Sequence, residues 1–188
     1  VNSCPLALVS PAKPINDQLT AQINACFVLG NHRTPDQDIQ FGVYQLVEIA
    51  VRALSPGLND PFTAITCIDH LGSALCRLVA RDLPSPYRYD AQNQLRMIAP
   101  AVTFTEIIDT AFNQIRQHSR DSAAVTIRLL QTIAVIVGFV HRTEDRATLL
   151  RHATMIYRGA YDTLPEDQDR QTVEKRYQTI RTLCSEAA

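Results

Sequence analysis

Ten prolines punctuate the 188-residue chain, and each lies at the border of a periodic apolar run rather than inside one. A proline inside a helix removes a hydrogen bond and clashes with the preceding turn, so this placement leaves the intervening segments free to be helical. Apolar residues recur within those segments at helical spacing. The sequence therefore predicts an all-α fold, a helical bundle of about seven helices.

The same boundaries predict how the chain is organised. Residues 1–15 carry three prolines, and we interpret them as an extended lead-in, the end of a truncated upstream element. Residues 16–188 are predicted to form a single helical domain. The predicted helices span about residues 16–29, 35–54, 61–81, 103–117, 122–141, 144–161 and 166–184. Residues 87–90 and 95–98 leave room for one short β-hairpin.

Several predicted helices have explicit start signals. Thr34 and Gln37 form a T-x-x-Q capping box before the second helix, and residues 103–106 form a T-x-x-E box before the fourth. Either Asn59 or Asp60 can cap the third helix, which has a proline at its first position. The helix boundaries are therefore predicted from local chemistry.

Composition and charge argue against several classes of function. The formal net charge is -1, so no basic field would gather nucleic acid, and we predict no nucleic-acid partner. Five cysteines stand mostly within apolar patterns, which is typical of free thiols in a reducing compartment. The longest apolar stretch, residues 129–140, falls short of the ~20 residues that a bilayer requires.

Familiar catalytic and cofactor motifs are absent from the sequence. It contains no G-x-S-x-G, no phosphate-binding glycine loop, no H-E-x-x-H and no C-x-x-C. Cys67 and His70 form a C-x-x-H pair, but a zinc site needs four close ligands and the other histidines lack the spacing to supply them. We therefore predict no metal, no cofactor and no assigned catalytic residue.

The densest set of polar side chains is predicted where the second and third helices meet. At ~100° per residue, Asp38, Gln45, Glu48 and Arg52 fall within an arc of about 80° on the second helix. Between the helices, two prolines and a glycine in residues 55–61 predict a stiff elbow. The candidate junction residues are Arg33, Thr34, Asp38, Gln45, Glu48, Arg52, Ser55, Asn59, Asp60, Thr63 and Asp69.

One junction residue calls for a partner from outside its own helix. Asp69 lies at the margin of the apolar arc of the third helix, where an unpaired carboxylate is costly. Arg33, Arg52 or Arg116 is the expected cation. The elbow itself is interpreted in two ways, as a structural bend held by caps or as a site for a ligand or partner.

A longer pattern gives this region a family context. Residues 30–71 resemble a segment of domain-of-unknown-function family 2254, a bacterial family of predicted integral-membrane proteins. The resemblance rests on R-T-x-x-Q-D-x-x-F-G from Arg33 and on Q-L-V-E-I-A-x-R-A-L-S-P-G-x-N-D-P-x-T-A across residues 45–64. Glu48 replaces the more usual aspartate, and a looser likeness extends over the rest of the chain, including Arg116.

The resemblance implies transmembrane helices ahead of this region, and no assigned activity. It places the chain at a membrane through that preceding part, with this domain in the cytoplasm. The leading hypothesis is an interaction or regulatory domain that couples to the membrane-spanning part of the same polypeptide, or to a second copy as a homo-oligomer, through the elbow. One alternative is an anion or small-ligand sensor that uses Arg33, Arg52 and the start of the third helix. Another is a hydrolase that uses Asp38, Glu48 and Asp69.

Overall fold

The computed structural model describes residues 16–27, 30, 38–81 and 83–185. The chain divides into two units, residues 1–33 and 34–188. In the first unit the described element is α1 (Asp17–Ala25), which begins where the Asn16 side chain accepts a hydrogen bond from Leu19 N at 2.8 Å. No residue of this described helix is buried. The predicted lead-in lies outside the described residues.

The second unit contains six helices and one hairpin among the residues that the structure describes. In chain order they are α2 (Ile39–Ala53), α3 (Pro61–Val79), β1 (Tyr87–Tyr89), β2 (Leu95–Ile98), α4 (Phe104–His118), α5 (Ala123–Val137), α6 (Thr143–Thr163) and α7 (Asp167–Ser185). The described part of the chain thus has seven helices and one two-stranded sheet. The predicted all-α bundle is confirmed.

The start of α4 shows how local chemistry positions a helix. Thr103 Oγ1 accepts a hydrogen bond from Glu106 N at 3.2 Å, and Glu106 Oε2 accepts one from Thr103 N at 2.8 Å. These bonds satisfy backbone donors near the start of the helix, where the first turn has no intrahelical acceptors. The capping box predicted from residues 103–106 is therefore confirmed.

The core is built around α5, which packs against α3, α4, α6 and α7. Of its 15 residues, eight are buried, among them Leu129, Leu130 and Ile133. Because burial of a large aliphatic side chain contributes about 1.5–3 kcal/mol, this helix supplies much of the hydrophobic stabilisation. α5 is therefore the central helix of the described bundle.

Three helix boundaries lie four residues from their predicted positions. The first helix ends at Ala25 rather than residue 29. The second helix begins at Ile39 with Asp38 as its cap, rather than at residue 35, and the predicted Thr34 cap lies outside the described residues. The fifth helix ends at Val137 instead of residue 141, with Gly138 as its C-cap. Glycine has a low helix propensity, and a tighter hydrogen bond from Phe139 N to Ile136 O, at 2.9 Å, closes the chain into a turn there.

A short antiparallel hairpin follows α3. Tyr87 pairs with Ile98 and Arg88 with Met97, and the register shifts between Arg88 and Tyr89. In its turn, Asp90 Oδ1 accepts hydrogen bonds from two backbone N–H groups, at 3.0 and 2.9 Å. The predicted hairpin is confirmed, and its strand residues are exposed rather than packed on the core.

α3 is the described helix that is long and apolar enough to cross a membrane, judged by length and composition alone. The sequence alone did not predict this, because its longest apolar stretch, residues 129–140, is shorter than a membrane span and lies outside α3. Within the unit, 33% of the most apolar 18-residue stretch of α3 is buried, and α3 packs against α2 and α5. A core helix of a water-soluble domain passes the same test, so its length and composition do not decide its environment.

Candidate functional site

The elbow between α2 and α3 is held by a dense set of backbone hydrogen bonds. Leu58 N and Asn59 N both donate to Ser55 O, at 3.0 and 2.9 Å, and Asp60 N donates to Ala53 O at 2.8 Å. Asn59 adopts a left-handed conformation with φ 45°, which asparagine tolerates better than most residues. These bonds tie the elbow to the end of α2 and give it a defined shape.

Asp60 completes the elbow by capping α3. Its Oδ1 accepts a hydrogen bond from Thr63 N at 3.1 Å, and its Oδ2 accepts one from Thr63 Oγ1 at 2.5 Å. The bond from the Thr63 hydroxyl, followed by the backbone bonds, lowers the pKa of Asp60. The carboxylate therefore stays ionised and satisfies the donors that open α3.

Arg52 and Glu48 form an ion pair on the exposed side of α2. Arg52 Nη2 lies 2.7 Å from Glu48 Oε1, and the two side chains are 70% and 51% exposed. Their four-residue spacing places them one turn apart on the arc of α2 that the sequence predicts to be polar. Gln45 lies one turn before Glu48 and is exposed, while Ser55 is partly buried at the end of α2.

The partner of Asp69 differs from all three expected cations. Arg128 on α5 donates from Nε to Asp69 Oδ1 at 2.5 Å and from Nη2 to Asp69 Oδ2 at 2.6 Å. The expectation of Arg33, Arg52 or Arg116 was wrong, because α3 packs against α5 and brings a more distant arginine to this carboxylate. The pair joins α3 and α5, and each of its two side chains is about 40% exposed.

The start of α2 holds the remaining junction residues. Asp38 Oδ1 accepts a hydrogen bond from Phe41 N at 3.0 Å and thereby caps the helix. Arg33 and Thr34 lie outside the described residues. Asp38 is ten residues before Glu48, about 15 Å along the helix axis. The structure thus does not bring together the carboxylates Asp38, Glu48 and Asp69, each of which has a separate structural partner.

Two apolar residues of the elbow are exposed, which the sequence patterns do not predict. Leu58 is 62% exposed, and Phe62, in the first turn of α3, is 79% exposed. Apolar periodicity gives no indication for Leu58, which lies in the turn outside any helix, and Phe62 stands in the first turn of α3, where a helical face has only begun. The sequence feature that could have indicated their exposure is the pair of nearby prolines, Pro56 and Pro61, which mark a turn.

The structure also places the residues considered for metal binding. Cys67 is buried and His70 is exposed, so the two side chains lie in different surroundings on α3. No group of three or more histidine, cysteine, aspartate or glutamate side chains lies close enough to hold a metal ion within the described residues. Cys26 is exposed although its pattern indicated an apolar face.

A second polar cluster, which the sequence does not predict, lies where α4 packs on α6. Asp109 Oδ1 contacts both Arg151 and His152, each at 2.7 Å. The sequence separation between α4 and α6 hides this contact, because nothing in the chain shows which helices become neighbours. His152 is fully buried, whereas the side chains of Asp109 and Arg151 are 37% and 44% exposed, so the cluster lies at the edge of the packed interior.

The fold and the junction together define an all-α domain whose polar elbow is built from helix caps and ion pairs. The sequence profile of the family described as "Predicted membrane protein (DUF2254)" matches residues 1–135, and the chain belongs to this family. The resemblance found in residues 30–71 is therefore confirmed.

Similar proteins extend well beyond this chain. Uncharacterised proteins of Mycobacterium tuberculosis and Mycobacterium bovis are each 33% identical to it over 145 residues, or 77% of the chain. The chain spans 28% of the length of these relatives. No solved structure matches it.

Proposed function

We propose that this chain is the coupling domain of a membrane protein and docks onto the membrane-spanning part of the same polypeptide through the elbow. The observation that carries the proposal is the exposure of Leu58 and Phe62 on an ordered turn. Burial of two such side chains contributes about 1.5–3 kcal/mol each, which is available only when another surface covers them.

The order of the elbow strengthens this argument. Backbone bonds to Ser55 and Ala53 and the Asp60 cap fix the turn before any partner arrives. A preorganised turn loses little conformational entropy on docking, so more of the apolar contact remains as binding free energy. The Glu48–Arg52 pair lies on the last turns of α2 and supplies a polar rim.

The choice of partner rests on the family and on length. The family is described as predicted membrane proteins, and this chain spans 28% of the length of its curated relatives. The larger remainder of such a polypeptide is tethered to the elbow because both belong to one chain. It therefore meets the elbow at a high effective concentration. A second copy of the chain is the competing occupant.

A photocrosslinker tests the proposal in the full-length protein. Benzoylphenylalanine replaces Phe62 in membranes, and the matched control places it at Val135, an exposed apolar position on α5. We expect position 62 to crosslink within the same polypeptide to a membrane-spanning segment, and position 135 not to do so. A crosslink between two copies would instead support homo-oligomerisation. Absence of any crosslink at position 62 would contradict both.

Substitution gives a second readout. Leu58→Ser with Phe62→Ser should leave the melting temperature of this isolated chain unchanged, because neither side chain is covered in it. The same double substitution should lower the thermal stability of the full-length protein in detergent. Equal melting temperatures for the two full-length proteins would count against docking.

We also propose that the domain lies on the cytoplasmic side of the membrane. Cys26, Cys67, Cys76 and Cys184 all carry free thiols in the described part of the chain, as is usual in a reducing compartment. A membrane-impermeant maleimide should label the exposed Cys26 only after cells are opened. Labelling of this residue in intact cells would reverse the orientation.

A further inference from the structure

Three arginines lie close together where α4 packs on α6. Arg116 stands near the end of α4, Arg120 follows directly after that helix, and Arg151 belongs to α6. Asp109 on α4 is the carboxylate bonded to this group among the described residues. The cluster shares no residue with the elbow.

Asp109 is already fully engaged. Its Oδ1 accepts hydrogen bonds from Arg151 Nη2 and His152 Nε2, both at 2.7 Å. Burial alone would raise the pKa of Asp109, but the hydrogen bonds from Arg151 and His152 outweigh burial and lower it. The single negative charge is therefore matched by Arg151, and none is left for the other two arginines.

Arg116 is the residue left without compensation. Its Nε is inaccessible to solvent and has no hydrogen-bond partner in the part of the chain that the structure describes. Burial lowers the pKa of Arg116, and the positive charges of Arg120 and Arg151 lower it further. A partly buried cation that faces two like charges is costly unless an anion joins it.

Arg120 is held beside this cation by its backbone and stem. Its carbonyl oxygen accepts a hydrogen bond from Thr163 Oγ1 at 2.5 Å. Its Cγ would lie 3.6 Å from a Cβ at Gly159, so the absence of a side chain at Gly159 leaves room for the arginine stem on α6. The backbone and the stem of Arg120 are thus held against α6, while its side chain remains exposed.

His152 adds no charge to oppose or relieve this excess. It is fully buried, and burial, the largest effect, lowers its pKa, so the ring is neutral at pH 7. Asp109 only accepts, so Nε2 carries the proton, and Nδ1 has no partner among the described residues. Arg151 is thus paired with Asp109, and neither Arg116 nor Arg120 forms an ion pair with a carboxylate among the described residues.

We propose that Arg116, Arg120 and Arg151 form a binding site for a phosphate-type oxyanion, either inorganic phosphate or the phosphate of an anionic lipid headgroup. The planar guanidinium fork matches phosphate oxygens in a bidentate arrangement, and two arginines without a carboxylate match a doubly charged anion. This site is independent of docking through the elbow, so either proposal can fail while the other stands.

The first experiment follows thermal unfolding of the chain during titration with inorganic phosphate at constant ionic strength. We expect a saturable rise in melting temperature for the wild type and for Arg176→Gln, an exposed arginine of α7 that serves as the matched control. Arg116→Gln should bind phosphate about tenfold more weakly, or worse, because it loses a charged hydrogen-bond donor. Arg120→Gln should weaken binding in the same direction.

The melting temperature without phosphate separates this role from a structural one. Arg116→Gln should then unfold at the same temperature as the wild type or higher, because it removes a cation that has no partner. An arginine that only supports the fold would lower the melting temperature in every buffer. That result, or equal phosphate affinity in wild type and Arg116→Gln, would overturn the proposal.

Vesicle sedimentation distinguishes the two sources of phosphate. Vesicles of phosphatidylcholine alone are compared with vesicles that also contain phosphatidic acid. Binding to the second kind that is lost in Arg116→Gln assigns the site to a lipid headgroup, and phosphate binding without vesicle binding assigns it to a free anion. Binding to neither probe would refute the site.

Discussion

Arg128 on α5 donates two parallel hydrogen bonds to Asp69 on α3, from Nε to Oδ1 at 2.5 Å and from Nη2 to Oδ2 at 2.6 Å. The two residues are 59 positions apart in the chain. A bidentate contact fixes both the distance and the rotation of the helices that carry it. α3 and α5 are therefore held in register by a polar contact as well as by their apolar faces.

A double-mutant cycle measures this contact. Asp69→Asn combined with Arg128→Met should give a coupling energy of about 0.5–1 kcal/mol, limited by solvent screening since both side chains are about 40% exposed. Chemical denaturation of the four proteins provides the free energies of unfolding. The control cycle on Glu48 and Arg52, within one helix, should give about 0.3 kcal/mol. If the coupling energy of the Asp69–Arg128 pair is no larger than that of the control pair, this contact does not help to hold α3 against α5.

His152 makes stability depend on pH. Its pKa in the folded state lies below the unfolded value, since burial outweighs the attraction of Asp109, and Arg151 and Arg116 oppose a further charge. As the pH falls, the unfolded chain therefore binds a proton at this histidine before the folded chain does. Stability is full above the unfolded pKa of about 6.5 and falls as the pH drops below it, by at most about 1.4 kcal/mol per pH unit.

Thermal unfolding between about pH 7.5 and 5.5 checks this sign. The melting temperature of the wild type should fall over that range, and His152→Gln should flatten the profile. His70→Gln, at an exposed position of α3, is the control and should leave the profile unchanged. Parallel profiles for wild type and His152→Gln would show that another group titrates.

Gly72 allows α3 to approach α5 closely. A Cβ at this position would lie 2.6 Å from Thr132 Cγ2, which is too close for an unstrained contact. Gly72→Ala should therefore destabilise the fold by about 1–3 kcal/mol, measured by urea denaturation. Thr132→Ser removes the opposing methyl group and should recover part of the loss in the double variant.

Gly42 offers a control for the same substitution. It lies in α2, and a Cβ there would have nothing within 4 Å. Gly42→Ala should be neutral or stabilising by up to about 1 kcal/mol, because alanine lowers the entropy of the unfolded chain. Similar losses at both glycines would show that close packing on Thr132 is not the cause.

Tyr157 on α6 and Tyr177 on α7 stack with ring centroids 4.7 Å apart and an interplanar angle of 3°. Tyr157→Leu combined with Tyr177→Leu should show a coupling energy of about 1 kcal/mol in a double-mutant cycle. The tilted Tyr157–Tyr161 pair, 6.0 Å apart, should couple less because Tyr161 is 59% exposed. Equal coupling in the two pairs would contradict the role of stacking.

The helices were predictable to the extent that their ends depend on neighbours in the chain. The Thr103–Glu106 box, Pro61 at the first position of α3 and the hairpin turn each act within a few residues. The start of α2 was misplaced because the prediction followed the T-x-x-Q pattern at Thr34, whereas Asp38, a residue type preferred as a cap, begins the helix.

The candidate site divides in the same way. The cap of α3 was predicted as Asn59 or Asp60, and Glu48 was placed with Arg52 on one polar arc, since each of these contacts spans three or four residues. The Arg128 partner of Asp69 was not, because it depends on how α3 packs on α5. The exposure of Phe62 was missed for a related reason, since only the packed structure shows which apolar residues stay uncovered.

The sequence by itself determined the number of helices, most of their ends and the stiff bend between α2 and α3, because hydrogen bonds of caps and turns form between near neighbours. Only the tertiary structure decided that Asp69 meets Arg128, that Gly72 lies against Thr132 and that Arg116 Nε has no hydrogen-bond partner among the described residues. Those outcomes depend on which apolar helix faces pack together. Helix faces of similar apolar character leave several packings open until the whole core forms.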